Sequence, residues 1–505
     1  MLNKFRGLLG HTLIYGLGNY GIKIVGFLLI PLYTRFLLPA DYGVMALVSM
    51  YTQVMFILMN LGQSTSLFRF YYDHDTEEGR EKVVAASIWI IILFALPLAA
   101  LPLLFNQPLA QLLLGSSALW YMMCLGTATV LCKVILRMPF AIMRAGDQSK
   151  RYAGWSLARN AVGMLLAVAF VAGLHWGATG VIASQFVAEL IFCFLLAGAT
   201  LRMLRSGFHW GDIKEQLFFG LPFVPVGAAS FILDLADRWF IKHYYSTSEV
   251  GIYSLGYRFA EILTFVVTAF QLSWPQFLFQ NRKQPNAPQL YADMTTYYCA
   301  LMMFLWLGLA VFAPEMLRIM ATPKFYAAAG VIPVVSFALV FDGMGFMFNI
   351  GALFSKKTLL RTASVSVAAV VNLALNFLLI PKYGMMGAAW ATFIGFLVQM
   401  TATLYLSLRV YHVPYRYDRL LGILGAALGI YGVSVLVDTH SVWTAIAIKV
   451  PLMLLFPIAL LASGLFYRKD LDAALAMLER RVPQSAVAVR YLRPYVLRGG
   501  DASGS

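Results

Sequence analysis

The sequence has little charge for its length. Asp, Glu, Lys and Arg make up only 12% of its 505 residues, whereas hydrophobic residues make up 60%. A soluble domain carries about 25% charged residues, so this composition is far from that of an ordinary soluble enzyme or binding module. The mean hydropathy of +0.75 points the same way. The composition therefore indicates an integral membrane protein.

Acidic residues are scarcer still than basic ones. The chain holds 23 Asp and Glu against 38 Lys and Arg, a formal net charge of +15. In a soluble protein this excess would suggest a nucleic-acid partner. In a membrane protein it is the expected excess of loop cations that sets the orientation of the helices. We therefore expect no nucleic-acid partner.

Residues and motifs typical of catalysis or metal binding are also scarce. The four cysteines lie inside apolar runs without C-x-x-C spacing, which is typical of small buried hydrophobic side chains. The sequence has no H-E-x-x-H, G-x-S-x-G or P-loop lysine motif. The run Asp73, His74, Asp75 lies among further acids, where a solvated loop is a better interpretation than a metal site. We predict no enzyme activity, no catalytic residue, no metal and no cofactor.

Long apolar runs are what the sequence does have. Continuous runs of about 20 residues predict membrane-spanning helices rather than the short alternating strands of a barrel. The fold class is therefore all-α, with about fourteen spans. The predicted spans are 9–34, 42–67, 83–105, 118–140, 152–174, 177–201, 217–241, 250–274, 293–313, 326–350, 362–380, 384–408, 420–437 and 443–466. The first run is too long for a signal peptide and lacks an A-x-A site, so we expect an uncleaved first span.

The basic residues are unevenly divided between alternate loops. The two termini and every second loop hold 26 Lys and Arg, the opposite loops hold five, and seven lie within spans. This bias predicts that both termini face the cytoplasm.

Two sequence motifs recur at a nearly constant offset. "DYGVMAL" (41–47) aligns with "EVGIYSL" (249–255), and "WGATGVIASQF" (176–186) aligns with "YGMMGAAWATF" (383–393), at offsets of 208 and 207 residues. Closely matching offsets at distant places indicate a duplicated six-helix unit, in which a substrate path lies between two lobes. The predicted units are an N-terminal six-helix lobe (1–209), a second lobe that repeats it (210–412), two additional helices (413–467) and a cytoplasmic interfacial helix with a tail (468–505).

Several charged residues lie within the predicted spans, where unpaired charges are costly. The cations are Lys23, Lys133, Arg137, Arg159, Arg238, Arg258 and Lys449, and the acids are Glu189, Asp234, Asp237, Glu261 and Asp342. The spacing predicts ion pairs between Asp234 and Arg238 and between Arg258 and Glu261. Lys449 lies near a span end, from which its ammonium group can reach water.

The first half has an excess of intramembrane cations. The predicted spans of this half contain four cations and one acid. The cations are Lys23, Lys133, Arg137 and Arg159, and the acid is Glu189. A cationic, water-filled cavity that binds an anionic substrate would account for them, because arginine and lysine hold phosphate oxygens well. The alternative is that Arg137 and Arg159 lie close enough to the cytoplasmic surface to reach water.

Three stretches resemble a known family. They are "LIPLYTRFLLPADYGVMAL" (29–47), "GLPFVPVGAASFILDLADRWFIKHYYSTSEVGIYSLGYRF" (220–259) and "NFLLIPKYGMMGAAWAT" (376–392). They resemble the polysaccharide transporter branch of the multidrug/oligosaccharidyl-lipid/polysaccharide (MOP) exporter superfamily, the O-antigen flippase type. The resemblance implies two six-helix bundles in a V shape. It also implies transfer of undecaprenyl-diphosphate-linked oligosaccharide, used for O-antigen or exopolysaccharide, from the inner to the outer leaflet of the bacterial cytoplasmic membrane.

The resemblance also implies roles for particular residues. Related lipid II flippases use cavity arginines on the first helix and in span 8, and Lys23 and Arg258 occupy those places here. Position 23 departs from the pattern, since lysine cannot bind a diphosphate bidentately. Two additional C-terminal helices form a lipid-tail groove in those relatives. Coupling to a proton or sodium gradient varies in the superfamily, and Glu189, Glu261 and Asp342 are the candidates to carry a proton.

Two alternative functions stay open. A cation-coupled multidrug exporter shares the fold, but a cationic cavity disfavours it because cationic drugs need acids there. A membrane glycosyl ligase or polymerase would need a sizeable outer loop with His, Arg or acid residues, and the outer loops here are short. The expected partners are the lipid-linked glycan, membrane lipids and polysaccharide polymerase or ligase machinery.

Overall fold

The computed structural model describes residues 26–146, 148–355, 358–437 and 441–462. Within these ranges the regular structure is helical and contains no strand, which confirms the all-α fold class. Lys23, most of the predicted first span and the tail from residue 468 lie outside the described residues.

The first half of the chain forms nine α-helices in the described residues, joined by short π and 3₁₀ turns. They are α1 Ile30–Phe36, α2 Pro39–Asn60, α3 Gln63–Asp73, α4 Glu77–Ile90, α5 Leu96–Leu104, α6 Asn106–Leu114, α7 Trp120–Ala145, α8 Ser149–Val168 and α9 Gly177–Leu201. Prolines mark several of the starts: Pro39 opens α2, where its missing N–H and fixed φ cost nothing.

The remainder of the described chain forms twelve more α-helices. They are α10 Trp210–Gly220, α11 Phe223–Leu235, α12 Asp237–Tyr244, α13 Thr247–Ala260, α14 Leu263–Asn281, α15 Ala287–Val311, α16 Ala313–Met320, α17 Val331–Phe348, α18 Ile350–Ser355, α19 Thr358–Leu408, α20 Tyr417–Val435 and α21 Val442–Ala462. The two halves meet along α2 and α13, which pack against each other.

The described residues contain fewer separate spans than the sequence predicts. Eleven helices are long and apolar enough to cross a membrane, or twelve if the bent pair α13 and α14 counts as one. The predicted count of fourteen is therefore not confirmed. Part of the difference lies in α19, whose 51 residues contain the predicted spans 362–380 and 384–408. A helix of that length would measure about 75 Å, more than twice the hydrocarbon thickness.

The chain folds back within α19 at a single residue. Gly384 has φ +54 and ψ −134, a conformation that glycine tolerates and other residues rarely adopt. Two hydrophobic helices therefore follow each other with only a tight turn between them.

The repeated motifs have matching local geometry. Gly177 and Gly384 both have positive φ, +58 and +54. A Cβ placed on Gly177 would lie 3.8 Å from Asp41 Oδ1, and one on Gly384 would lie 3.2 Å from Glu249 Oε2. Asp41 and Glu249 are themselves aligned members of the first motif pair. These matched contacts support duplication of one structural unit.

Helix α10 packs against the first half of the chain. Ser66 donates a hydrogen bond to the Gln216 carbonyl oxygen (2.9 Å), Gln216 donates to the Val83 carbonyl oxygen (2.9 Å), and Ser87 donates to Gln216 Oε1 (2.7 Å). The chain then breaks at Pro222 before α11. The predicted lobe boundary at residue 210 stays a prediction. The break at Pro222 lies about one helix further along the chain.

Candidate functional site

Three adjoining cavities form a path through the described part of the protein. The central cavity has a volume of about 540 Å³, the Arg258 cavity about 220 Å³ and the Arg361 cavity about 390 Å³. The central cavity shares Leu235, Tyr257 and Glu261 with the Arg258 cavity, and shares Ser230, Arg361 and Val365 with the Arg361 cavity. The shared lining residues show that the three cavities adjoin one another in a row, and this row is called the path below.

The central cavity is lined mainly by the second half of the chain. Asp234, Glu261 and Asp342 contribute three carboxylates, and Arg361 contributes one guanidinium. Asp342 accepts a hydrogen bond from Gln399 Nε2 (3.0 Å), and Asp234 is exposed although it lies within a membrane-spanning helix. An exposed carboxylate at this depth means that the cavity offers it open volume. The expected excess of cations is therefore not found in this cavity.

The Arg258 cavity lies between the two halves. Arg258 Nη1 donates a hydrogen bond to the Tyr42 hydroxyl (3.2 Å), across the contact between α13 and α2. Ser254, one turn earlier, also lines the cavity, and its buried hydroxyl has no hydrogen-bond partner among the described residues. A Cβ on Gly26 would lie 3.0 Å from Arg258 Nη2. Gly26, the first described residue, therefore lies beside this arginine.

The predicted ion pair between Arg258 and Glu261 is wrong for the structure described. Glu261 follows the last residue of α13, where the helix bends toward α14, and the ion pairs of the described residues do not include it. Arg258 instead binds the Tyr42 hydroxyl, and Glu261 lines the junction of two cavities.

The predicted pair between Asp234 and Arg238 is also wrong. Arg238 is only 4% exposed and binds Asp237 Oδ1 at 2.8 Å, while it reaches Asp234 only through that residue's backbone carbonyl. Tyr253 and Thr392 both donate hydrogen bonds to Asp237 Oδ2. This buried cluster joins α12, α13 and α19, and it leaves the Asp234 carboxylate facing the central cavity.

The first-half cations form a separate cluster on α7, α8 and α9. Arg159 lies 3.4 Å from Glu189, and the Arg137 guanidinium lies 5.5 Å from the centre of the Phe56 ring. Lys133 is within electrostatic reach of both Arg159 and Glu189. None of these residues lines the three described cavities. That Lys133, Arg137 and Arg159 bind substrate stays a prediction.

Lys449 differs from its expected position. Instead of reaching water, it is buried and binds Glu315 Oε1 at 2.7 Å and the Val311 carbonyl oxygen at 3.1 Å. These two contacts join α21 to α15 and α16.

The sequence interpretation missed Arg361. Arg361 lies just before the predicted span 362–380 and so is not among the predicted intramembrane cations, yet it lines two of the three cavities. Its position one turn into α19 was a usable signal, because a long cationic side chain near a helix end can reach inward as well as outward.

Comparison with known proteins identifies relatives of this architecture. The model of a family described as polysaccharide biosynthesis protein matches residues 32–330. The succinoglycan biosynthesis transport protein ExoT of Rhizobium meliloti (strain 1021) is 25% identical over 324 residues. That match covers 63% of this chain and 63% of ExoT, so the chain spans less than two thirds of that relative.

Solved structures share the fold at low identity. The lipid II flippase MurJ, in an inward closed conformation, matches with a TM-score of 0.70 at 16% identity, over 91% of this chain and 100% of that one. An outward-facing multidrug resistance MATE transporter of the MOP superfamily matches with a TM-score of 0.58 at 14% identity, over 81% of this chain and 96% of that one.

The fold is thus the one found in MurJ and in this MATE transporter, and the protein is a multi-pass membrane protein. Since the family model spans more than half of the sequence, the chain belongs to the polysaccharide biosynthesis protein family.

Proposed function

We propose that the protein is a flippase that moves an undecaprenyl-diphosphate-linked oligosaccharide from the inner to the outer leaflet of the bacterial cytoplasmic membrane. The observation that carries the proposal is the row of three adjoining cavities, with Arg258 in the cavity at one end, a polar central cavity, and Arg361 where the central cavity adjoins the third. The family and the fold shared with MurJ support it.

The linings of the Arg258 cavity and of the central cavity suit the two polar parts of such a substrate, which are the diphosphate and the glycan. Arg258 at one end provides a fork of N–H donors for phosphate oxygens, with Ser254 and Tyr42 beside it. In the central cavity Asp234, Glu261 and Asp342 outnumber Arg361, which disfavours phosphate there. Carboxylates accept hydrogen bonds from sugar hydroxyls, so the central cavity would hold glycan and the Arg258 cavity diphosphate.

The orientation follows from the loop cations. We propose that both termini face the cytoplasm, which puts the end of the path near Gly43 outside and the Arg361 cavity inside. A transporter of this kind moves its substrate without breaking bonds, so the protein would not be an enzyme. Interaction with polymerase or ligase machinery stays a prediction.

Flipping by purified protein in liposomes tests the proposal. Liposomes that contain the protein and a fluorescent undecaprenyl-diphosphate glycan should expose the glycan on the opposite leaflet, where a membrane-impermeant glycosidase removes it. Liposomes with the Arg258→Ala protein are the matched control. In cells, deletion should trap lipid-linked repeat units on the cytoplasmic leaflet. A normal precursor pool together with intact external polysaccharide would refute the proposal.

The central cavity favours one second candidate, a multidrug exporter. Three carboxylates around open volume are the groups that a cationic drug needs. The sequence disfavours a multidrug exporter because it predicts a cationic cavity. The three carboxylates of the central cavity weaken that argument. Expression in a drug-sensitive strain separates the two: resistance to cationic dyes without glycan flipping would favour the exporter.

Coupling to an ion gradient is a further part of the proposal. Glu261 and Asp342 line the central cavity, whereas Glu189 binds Arg159 in the first half. We therefore favour Glu261 or Asp342 as the proton carrier. Flipping rates measured with an imposed proton gradient, an imposed sodium gradient or neither would identify the coupling ion.

A further inference from the structure

We propose that the crossing of α2 and α13 at Gly43 and Gly251 is the gate that closes one end of the path, and that both positions must be glycine for it to close. That this crossing acts as a gate rests on the proposed transport function. The contact between the two helices and its symmetry do not depend on that function.

At this crossing the two helix backbones touch directly. A Cβ on Gly43 would lie 1.8 Å from the carbonyl oxygen of Thr247, and a Cβ on Gly251 would lie 1.9 Å from the carbonyl oxygen of Pro39. Side-chain carbons do not approach other atoms this closely, so any larger residue would force the helices apart. Close backbone approach through small residues is how membrane helices gain packing energy without an apolar driving force.

The two contacts are equivalent under the internal repeat. Gly43 aligns with Gly251 in the duplicated motif, and the same offset of 208 residues relates Pro39 to Thr247. Each half therefore offers one glycine and one carbonyl to the other, as in a two-fold interface between identical subunits. A rocking movement of one half against the other would separate both contacts together.

Other contacts at this end also join the two halves. Thr34 donates a hydrogen bond to the Met320 carbonyl oxygen (3.1 Å), and Thr322 donates one to the Thr34 carbonyl oxygen (3.1 Å). Tyr42 packs edge to face on Phe325 with ring centroids 5.8 Å apart. These are neutral, individually modest contacts, so the closed end can open again.

The Arg258 cavity lies directly behind this crossing. Tyr42 and Ser254 flank the two glycines on α2 and α13 and line the cavity. Separation of the helices at Gly43 would therefore open this cavity to the membrane surface on that side.

Cross-linking tests whether this end must open. In a variant without the four native cysteines, Thr34→Cys with Thr322→Cys places one thiol on each half. We expect a short bifunctional thiol reagent to stop flipping, and cleavage of the linker to restore it. The matched control joins Tyr121→Cys to Thr179→Cys, whose native side chains meet at 3.1 Å within the first half. Its cross-link should leave flipping unchanged. Full cross-linking of Thr34→Cys to Thr322→Cys with wild-type flipping would overturn the proposal.

A second measurement needs no substrate. With Ser254→Cys as reporter, Gly43→Ala or Gly251→Ala should make labelling by an impermeant maleimide from the Gly43 side about tenfold faster, because the closed state loses population. Gly425→Ala is the matched control, since a Cβ at Gly425 meets nothing within 4 Å. Unchanged labelling in folded alanine variants would refute the gate. If labelling rises as expected but no glycan is flipped, the gate stands and the proposed substrate is wrong.

Discussion

Two groups of charges inside the membrane have similar residues and different surroundings. In the first-half cluster two cations lie against protein groups: Arg159 binds Glu189 and Arg137 lies over Phe56. Along the path, Asp234 and Arg361 are exposed to open volume. The comparison teaches that an intramembrane charge is a candidate for binding where open volume beside it can admit a ligand. The geometry favours a structural role for the first group and a binding role for the second.

The largest expected effect is on transport, at Arg258. Arg258→Ala removes the charged donor of the small cavity, and loss of hydrogen bonds to a charged group weakens binding by about 10- to 100-fold. We expect Arg258→Ala to abolish export in cells at normal protein level, and to lower flipping in liposomes by that factor or more. Arg258→Lys should keep part of the activity, because it retains the charge without the fork.

Lys23 is expected to act with Arg258. Lys23→Ala should abolish export at normal protein level, and Lys23→Arg should retain partial function. Wild-type export by both alanine variants would contradict a phosphate site at this end of the path.

The first-half cluster should respond in stability rather than transport. Glu189→Ala leaves Arg159 without its partner in a site where the carboxylate is 8% exposed, and breaking such a pair costs about 3 kcal/mol. The double variant Arg159→Met, Glu189→Leu should recover most of that loss. Thermal unfolding in detergent measures both. If the double variant is stable but does not flip substrate, the first-half cations bind substrate as the sequence predicts.

A smaller effect is expected at Asp342. Asp342→Asn keeps the shape and the contact with Gln399 but removes the charge from the central cavity. We expect transport to fall by about tenfold, the loss from one weakened charged hydrogen bond. Asp73→Asn on the exposed end of α3 is the control and should have no effect. An unaltered glycan KM in Asp342→Asn would exclude a contact between this carboxylate and sugar.

The smallest effect is expected at Arg361. Its side chain is exposed, and exposed charges contribute about 1 kcal/mol or less. Arg361→Ala should raise the KM for the lipid-linked glycan about two- to fivefold without changing kcat. A larger loss would show that the Arg361 cavity holds phosphate during transport.

The sequence predicted the fold class and several of the charges within the membrane, but it missed the buried Glu315 and did not predict how the charges pair. The rule that residues three or four apart meet on one helix face assumes an unbroken helix. Helix α11 ends at Leu235 and α12 begins at Asp237, so Arg238 turns toward Asp237 rather than Asp234. Helix α13 likewise ends at Ala260, one residue before Glu261. Such breaks depend on packing against other helices, which local spacing does not encode.

Tertiary contacts also decided the other differences. Lys449 is buried because Glu315 lies opposite it on a helix distant in sequence. Arg361 lines two cavities whose other walls include residues of α11, a helix distant in sequence. Contacts between helices that are distant in sequence cannot be predicted from a single stretch of residues. The repeat could be predicted, because duplication leaves two similar segments in the sequence.

The turn at Gly384 has a consequence for how the protein enters the membrane. The two helices of α19 are joined at Gly384 by a tight turn that contains only a few residues, among them the exposed Lys382. We expect them to insert into the membrane together, as a hairpin. A reporter peptide placed after Gly384 would separate them and also disturb the approach of Tyr245, whose hydroxyl donates a hydrogen bond to the Pro381 carbonyl oxygen. Topology mapping with inserted tags should therefore fail at this turn and succeed in the segment that joins α19 to α20.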